Sequence, residues 1–122
     1  MKAYLYEYAQ AVVEVILKGS RIDIVTKAII DTGFDGDICL PIHLAIQLGL
    51  ELKSVQVVEL TDGNRKNELV FTGFITLNGE EKEIEILLTN SKDTLLGTGL
   101  LYDKVLKIDF SKGTVEIGCK LQ

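Results

Sequence analysis

Turn signals divide the chain into short apolar runs, and they limit the possible folds more than any other feature. Each signal combines glycine with residues that favour turns, and the runs between them alternate in polarity or are rich in β-branched residues. The signals are Lys18-Gly19-Ser20, Thr61-Asp62-Gly63-Asn64, Asn78-Gly79 and Ser111-Lys112-Gly113. Asn-Gly and Asp-Gly between alternating runs are strong indicators of a β-hairpin. The sequence therefore predicts a mostly β protein built from paired neighbouring strands.

The predicted strands are short and regularly spaced, as in a small barrel. In residues 1–10 the alternation of Tyr4, Tyr6 and Tyr8 favours a strand over a helix that runs on to Leu17. The other predicted strands cover residues 12–17, 22–30, 38–40, 55–60, 68–71, 74–77, 83–88, 106–110 and 114–117. No linker or internal repeat interrupts them, so residues 1–122 are expected to form a single domain.

The sequence predicts one helix between Pro41 and Gly49 and a second, shorter helix later in the chain. Pro41 suits the first helical position because no N–H donor is needed there. Gly49 suits the left-handed residue that ends a helix, and apolar residues recur between the two. The second helix is expected at residues 100–104, after a segment with two glycines.

Asp31 is the first candidate for chemistry, because it follows an apolar run and enters a tight turn. Asp is depleted in strands, and burying its charge is costly unless the charge is compensated. Asp31 is followed by Thr32-Gly33, and a second apolar run begins at Ile38. Asp-x-Gly is also ordinary turn chemistry, because Asp accepts hydrogen bonds from its own backbone. On the tripeptide alone, a functional and a purely structural role both remain open.

Charge and composition argue against several function classes. The net charge is −5, and basic residues are scattered apart from Arg65-Lys66, so neither a nucleic acid nor an anionic membrane is an expected partner. No apolar stretch reaches the length of a membrane span and no signal peptide is recognisable, so a cytoplasmic location is expected. Cys39 and Cys119 lack the spacing of a metal site, and neither metal nor cofactor is expected.

The segment Ile30-Asp31-Thr32-Gly33-Phe34-Asp35-Gly36, with Leu40-Pro41 after it, resembles the retropepsin-type aspartic proteases. The closest likeness is to the small prokaryotic branch whose members carry Asp-Thr-Gly-Phe. The resemblance covers about residues 10–118, because further segments match that family in order. These segments are Leu48-Gly49-Leu50, Leu60-Thr61-Asp62-Gly63 at the tip of the flap, Leu95-Leu96-Gly97-Thr98-Gly99-Leu100-Leu101, and the closing strands around residues 106–115.

The resemblance implies a small closed β-barrel of the retropepsin type with one or two short helices. It also implies an aspartic endopeptidase that acts on a peptide or protein substrate. Because each chain supplies one Asp-Thr-Gly, the active form would be a homodimer. The implied catalytic residues are Asp31, Thr32 and Gly33. The implied substrate-binding residues are Asp35, Thr61, Asp62 and Gly63.

The chain departs from the retroviral pattern after the second glycine motif. Retroviral members carry an arginine there that pairs with the acid corresponding to Asp35, whereas this chain has Thr98. The role of Asp35 is therefore open. Two alternatives stand beside a peptidase: a retropepsin-fold module that dimerises or binds peptides without cleaving them, and a β-barrel binding domain in which Asp-Thr-Gly is only a turn. A dimer could be sealed by residues 115–121 or by the tyrosine-bearing N-terminus.

Overall fold

The chain folds mostly into β-strands, as its turn signals predict. A computed structural model describes residues 2–7 and 9–119. In chain order the elements are β1 (Ala3–Tyr6), β2 (Gln10–Lys18), β3 (Asp23–Ile30), β4 (Ile38–Pro41), α1 (Ile42–Leu48), β5 (Glu51–Glu59), β6 (Arg65–Leu77), β7 (Glu80–Thr89), β8 (Thr94–Leu96), a 3₁₀ turn (Thr98–Leu100), β9 (Lys104–Asp109) and β10 (Thr114–Cys119).

A sheet of eight strands forms the body of the protein, in the order β1-β2-β3-β8-β4-β7-β6-β5. Strand β2 also pairs antiparallel with β6, from Ile16↔Thr76 to Lys18↔Phe74. This additional pairing brings the sheet back onto itself, so β2, β3, β8, β4, β7 and β6 surround one interior. Strands β9 and β10 form a separate two-stranded hairpin.

The interior is filled by aliphatic side chains from alternate strand positions. In β2, Val13, Val15 and Leu17 are at most 1% exposed. The residues between them lie on the opposite face, because successive side chains of a strand point to opposite sides. Helix α1 contributes Ala45 and Leu48 to the same core. No helix in the described part of the chain is long and apolar enough to cross a membrane.

Strand β6 joins two segments that the sequence assigned to different hairpins. Residues 68–71 and 74–77 lie in one strand of 13 residues, which pairs with β5, β7 and β2. Gly73 lies inside this strand and is buried. A Cβ there would come within 2.9 Å of Ile86 Cδ1 and 3.2 Å of the Lys18 carbonyl oxygen. The glycine therefore permits a close approach of neighbouring strands and does not end the strand.

The predicted helix at residues 100–104 is wrong. The 3₁₀ turn Thr98–Leu100 comes earlier, and β9 already begins at Lys104. The Leu101 N–H donates to the Thr98 carbonyl oxygen at 3.0 Å, which tightens the turn. Lys104 then pairs with Cys119 of β10, and this pairing competes with continuation of a helix.

Other boundaries differ from the predictions by smaller amounts. Pro41 is the last residue of β4 and precedes α1 with extended ψ of 138°, so it does not occupy the first helical position. Gly49 ends α1 with φ of +70°, as expected. The first strand ends at Tyr6, because Glu7 turns with φ of +50°. Tyr8 and the end of the predicted dimer-sealing segment, residues 120–121, lie outside the described residues.

Candidate active site

Asp31 lies directly after β3, where the strand passes into a loop. Strand β3 pairs in parallel with β8, and Ile30 is opposite Leu96. The Asp31 N–H donates to the Leu96 carbonyl oxygen at 2.9 Å, one residue beyond the end of the strand. The backbone of Asp31 is therefore fixed by the sheet, although the residue itself belongs to the loop.

The Asp31 carboxylate is held by its own turn. Its Oδ1 accepts a hydrogen bond from the Gly33 N–H at 2.9 Å. The Phe34 N–H donates to the Asp31 carbonyl oxygen at 3.1 Å, which closes the turn. The Asp31 side chain is half-buried, whereas Thr32 and Gly33 are exposed. The loop therefore presents an oriented carboxylate at an accessible surface.

The segment 97–99 supports this loop from the opposite side. Its consecutive N–H groups donate to the carbonyl oxygens of Asp37, Phe34 and Gly36 at 2.9, 2.8 and 3.0 Å. The sequence places two glycines in this segment but does not identify the carbonyl groups they contact. Segment 97–99 thus stabilises the loop that follows Asp31 through three backbone hydrogen bonds.

Thr98 stands where the retroviral pattern has an arginine. In addition to its N–H, its hydroxyl donates to the Phe34 carbonyl oxygen at 3.3 Å. The Asp35 side chain has no hydrogen bond or ion pair among the described residues, and Asp35 is exposed. The loop is therefore held through Phe34, without the ion pair that the retroviral pattern would provide.

Asp37 stabilises the loop after Asp31, and the sequence did not single it out. Its Oδ2 accepts a hydrogen bond from the Glu85 N–H at 3.0 Å, which ties the loop to β7. A Cβ on Gly99 would overlap Asp37 Oδ1 and lie 2.9 Å from the Gly36 carbonyl oxygen. The carboxylate therefore occupies the space that a side chain at Gly99 would need. The only signal in the sequence is an Asp directly before the buried run at residues 38–40.

Replacing Asp37 with alanine should lower the free energy of unfolding by about 1–3 kcal/mol, because the Glu85 N–H loses its acceptor. Asp37→Asn keeps an acceptor oxygen and should cost less. Asp35→Ala is the matched control in the same loop and should change stability by no more than about 0.5 kcal/mol. Urea unfolding of the three variants tests this, and equal effects of Asp37→Ala and Asp35→Ala would contradict the assigned role.

A cavity of about 290 Å³ opens beside the loop. Its lining residues come from the loop, β5 and β7: they are Phe34, Asp35, Gly36, Asp37, Gln56, Glu85 and Leu87. Gln56 shows that one face of the β5–β6 hairpin reaches this cavity. Although several carboxylates line it, no group of three or more His, Cys, Asp or Glu side chains in the described part of the chain could hold a metal ion.

The predicted flap residues Thr61, Asp62 and Gly63 lie at the exposed tip of the β5–β6 hairpin. The tip is closed by its own hydrogen bonds. The Leu60 N–H donates to the Asn64 carbonyl oxygen at 2.7 Å, and the Asn64 N–H donates to Asp62 Oδ1 at 3.0 Å. Thus Asp31, Thr32 and Gly33 share one loop with Asp35, while the flap residues form a separate turn.

Comparison with solved structures supports the predicted fold. The simian foamy virus (mac) protease in solution matches with a TM-score of 0.55 and 21% identity, over 71% of this chain and 87% of that chain. The EIAV protease complexed with the inhibitor HBY-793 matches with a TM-score of 0.57 and 17% identity, over 77% and 86%.

At these identities the likeness shows the fold alone: the chain has a mostly β, retropepsin-like fold. The predicted fold class is therefore confirmed. No family model matches the sequence, and no curated protein matches it. Membership of the prokaryotic branch with Asp-Thr-Gly-Phe stays a prediction.

Proposed function

We propose that the chain is an aspartic endopeptidase of the small prokaryotic branch and works as a homodimer. The observation that carries this proposal is the place of Asp31 in a retropepsin-like fold. Its backbone is fixed by Leu96, its carboxylate is oriented by the Gly33 N–H, and its loop is accessible. A carboxylate held in this way is suited to proton transfer at a bound peptide.

The proposed chemistry needs two carboxylates, whereas one chain supplies one Asp31. One carboxylate takes a proton from water as the water attacks the amide carbon, and the other donates a proton to the carbonyl oxygen. As the C–N bond then breaks, the first carboxyl gives its proton to the leaving nitrogen, and the second takes a proton back from a hydroxyl of the intermediate. In aspartic proteases two such groups share one proton, because like charges so close together cannot both ionise. A symmetric dimer brings identical surfaces together, so Asp31 would face its counterpart in the second copy.

The neighbouring residues have distinct roles in this proposal. The exposed Thr32 hydroxyl would donate a hydrogen bond across the two-fold axis, and Gly33 would keep its N–H on the Asp31 carboxylate. Asp35 would accept N–H groups of the substrate backbone, because no described side chain occupies its carboxylate. The tip at Thr61, Asp62 and Gly63 would cover the substrate, exclude water and pair with its backbone.

The remaining assignments belong to the same proposal. Residues 1–122 act as one domain, the protein works in the cytoplasm without a cofactor, and its partners are a second copy and a peptide or protein substrate. A retropepsin-fold module that binds peptides without cleaving them is the alternative. The two differ in whether the paired carboxylates recognise the tetrahedral intermediate of peptide hydrolysis.

A statine-containing peptide should bind the dimer at least about 100-fold more tightly than the matching substrate peptide, because it imitates that intermediate. At 100 times its dissociation constant it should raise the free energy of unfolding by about 2.7 kcal/mol. Sedimentation establishes the dimer, and thermal unfolding with and without the peptide measures binding. Asp31→Asn is the control and should lose the stabilisation. A dimer without binding would favour the non-cleaving module, and a persistent monomer would contradict both.

A further inference from the structure

A second cavity, of about 300 Å³, lies between α1 and β6, and its described lining residues differ from those of the cavity beside the Asp31 loop. Its described lining residues are mostly apolar, and one of them, Arg21, is charged. The lining residues are Arg21, Ile42, Ala45, Ile46, Gly49, Leu50, Phe71 and Leu88. Ile46 lines this cavity and is 64% exposed, so the cavity is open to solvent.

The apolar surface continues from this cavity along the β5–β6 hairpin. Leu69 lies two residues before Phe71 on β6, so both side chains are on the same face. Leu52 is directly opposite Phe71, and Val55 is directly opposite Leu69. The irregularity between Leu52 and Ser54 keeps Leu52 and Val55 on that face. We call the cavity together with Leu52, Val55 and Leu69 the α1–β6 groove.

The α1–β6 groove lies on the face of the hairpin opposite to the candidate active site. Gln56 lines the cavity beside the Asp31 loop. Its neighbour Val55 points to the other face, because side chains alternate along a strand. Leu52, Val55 and Leu69 are each about half exposed, at 56, 53 and 45%. A partner in the groove would therefore leave the cavity beside the Asp31 loop open.

Arg21 is anchored at the rim of the groove. Its N–H donates to the Leu48 carbonyl oxygen at 2.9 Å. A Cβ on Gly49 would lie 2.6 Å from Arg21 Cγ and 3.1 Å from its Cδ, so the stem rests against Gly49. In the part of the chain that the structure describes, no carboxylate pairs with Arg21 and no acidic residue lines the cavity. A guanidinium in this position is suited to a carboxylate ligand.

We propose that the α1–β6 groove binds an extended segment of a protein partner that carries an acidic residue between apolar ones. An apolar side chain fills the cavity at Ile46 and Phe71, and the adjacent carboxylate pairs with Arg21. The apolar surface runs from the cavity to Val55 and Leu69 on the hairpin. This favours a peptide over a fatty acid, because one acyl chain in the cavity leaves the hairpin part uncovered. The inference does not depend on the proposed catalytic role of Asp31.

The test is an NMR titration of the isotope-labelled full chain with acetyl-Ser-Leu-Ile-Glu-Leu-Ser-amide and with its Gln counterpart. The Glu peptide should shift the amide signals of Arg21, Ile46 and Leu50 and bind about tenfold more tightly than the Gln peptide. Arg21→Gln should remove this difference between the peptides. Arg65→Gln, an exposed arginine outside the groove, is the matched control and should preserve it.

Each alternative outcome overturns the proposal. The absence of shifts at the groove with millimolar Glu peptide excludes a peptide site of this kind. Equal affinities for the Glu and Gln peptides exclude the pairing with Arg21. Shifts caused by decanoate but not by the peptide assign the groove to a lipid.

Ile46→Asp provides a second check. The variant should fold, because Ile46 is exposed and its position tolerates a polar side chain. It should bind the Glu peptide at least about tenfold more weakly, on the order expected for lost apolar contact.

Discussion

Asp31→Asn should abolish peptide cleavage while leaving the fold and the proposed dimer intact. The amide cannot take a proton from water, and loss of general acid–base catalysis alone lowers rates by about 10²–10⁴-fold. The fold should persist, because the amide oxygen of Asn can still accept the hydrogen bond that the Gly33 N–H donates to Asp31 Oδ1 at 2.9 Å. Hydrolysis of a peptide substrate that the wild-type protein cleaves measures the effect.

The control for this substitution is Asp93→Asn, which changes an exposed carboxylate outside the site. It should retain wild-type cleavage, so a general effect of removing one negative charge would be recognised. Circular dichroism and sedimentation establish that Asp31→Asn is folded and assembled like the wild type. If Asp31→Asn cleaved the peptide at the wild-type rate, the two-carboxylate mechanism would be ruled out.

Gly97→Ala should be strongly destabilising, because the added methyl group has no room. A Cβ on Gly97 would overlap the Gly36 carbonyl oxygen and lie 2.6 Å from both the carbonyl oxygen and the ring of Phe34. Two of these three contacts are with backbone, which cannot rotate away as a side chain does. We expect a loss of about 3 kcal/mol, at the upper end of overpacking effects, and a fall in Tm of about 10 °C.

Gly118→Ala is the matched control, because no atom of the described residues lies within 4 Å of a Cβ at that position. It should change the Tm of the protein only slightly. Thermal unfolding of both variants separates steric conflict from the general effect of replacing glycine in this chain. Equal, small changes in Tm for the two variants would show that segment 97–99 is not closely packed against the loop after Asp31.

Local sequence predicted those parts of the fold and site whose causes are local. The hairpin turns, the end of α1 at Gly49 and the turn at Asp31 each depend on a few adjacent residues with specific backbone preferences. For the same reason, the loop 31–33 could be singled out from its own residues. The predicted catalytic role of these residues goes beyond that and awaits the cleavage measurement.

Features that depend on distant partners escaped the sequence analysis. Asp37 matters because of the Glu85 N–H, and that partner is set by the parallel pairing of β4 with β7. Gly73 looks like a strand break until Ile86 and Lys18 are seen to crowd it. The helix expected at residues 100–104 is displaced by the pairing of β9 with β10. In each case, tertiary contacts decide between conformations that the local sequence permits.

The unbroken course of β6 gives the two ends of the β5–β6 hairpin different support. Among the described strands, residues 65–69 of β6 pair with β5 alone, residues 70–72 pair with both β5 and β7, and residues 74–76 pair with β7 and β2. Free energies of local opening are lowest where exposed backbone pairs with few neighbours. We therefore expect the outer part of the hairpin to open at a lower free-energy cost than the core. The boundary between the two parts lies at residues 70–72, where β6 pairs with both β5 and β7.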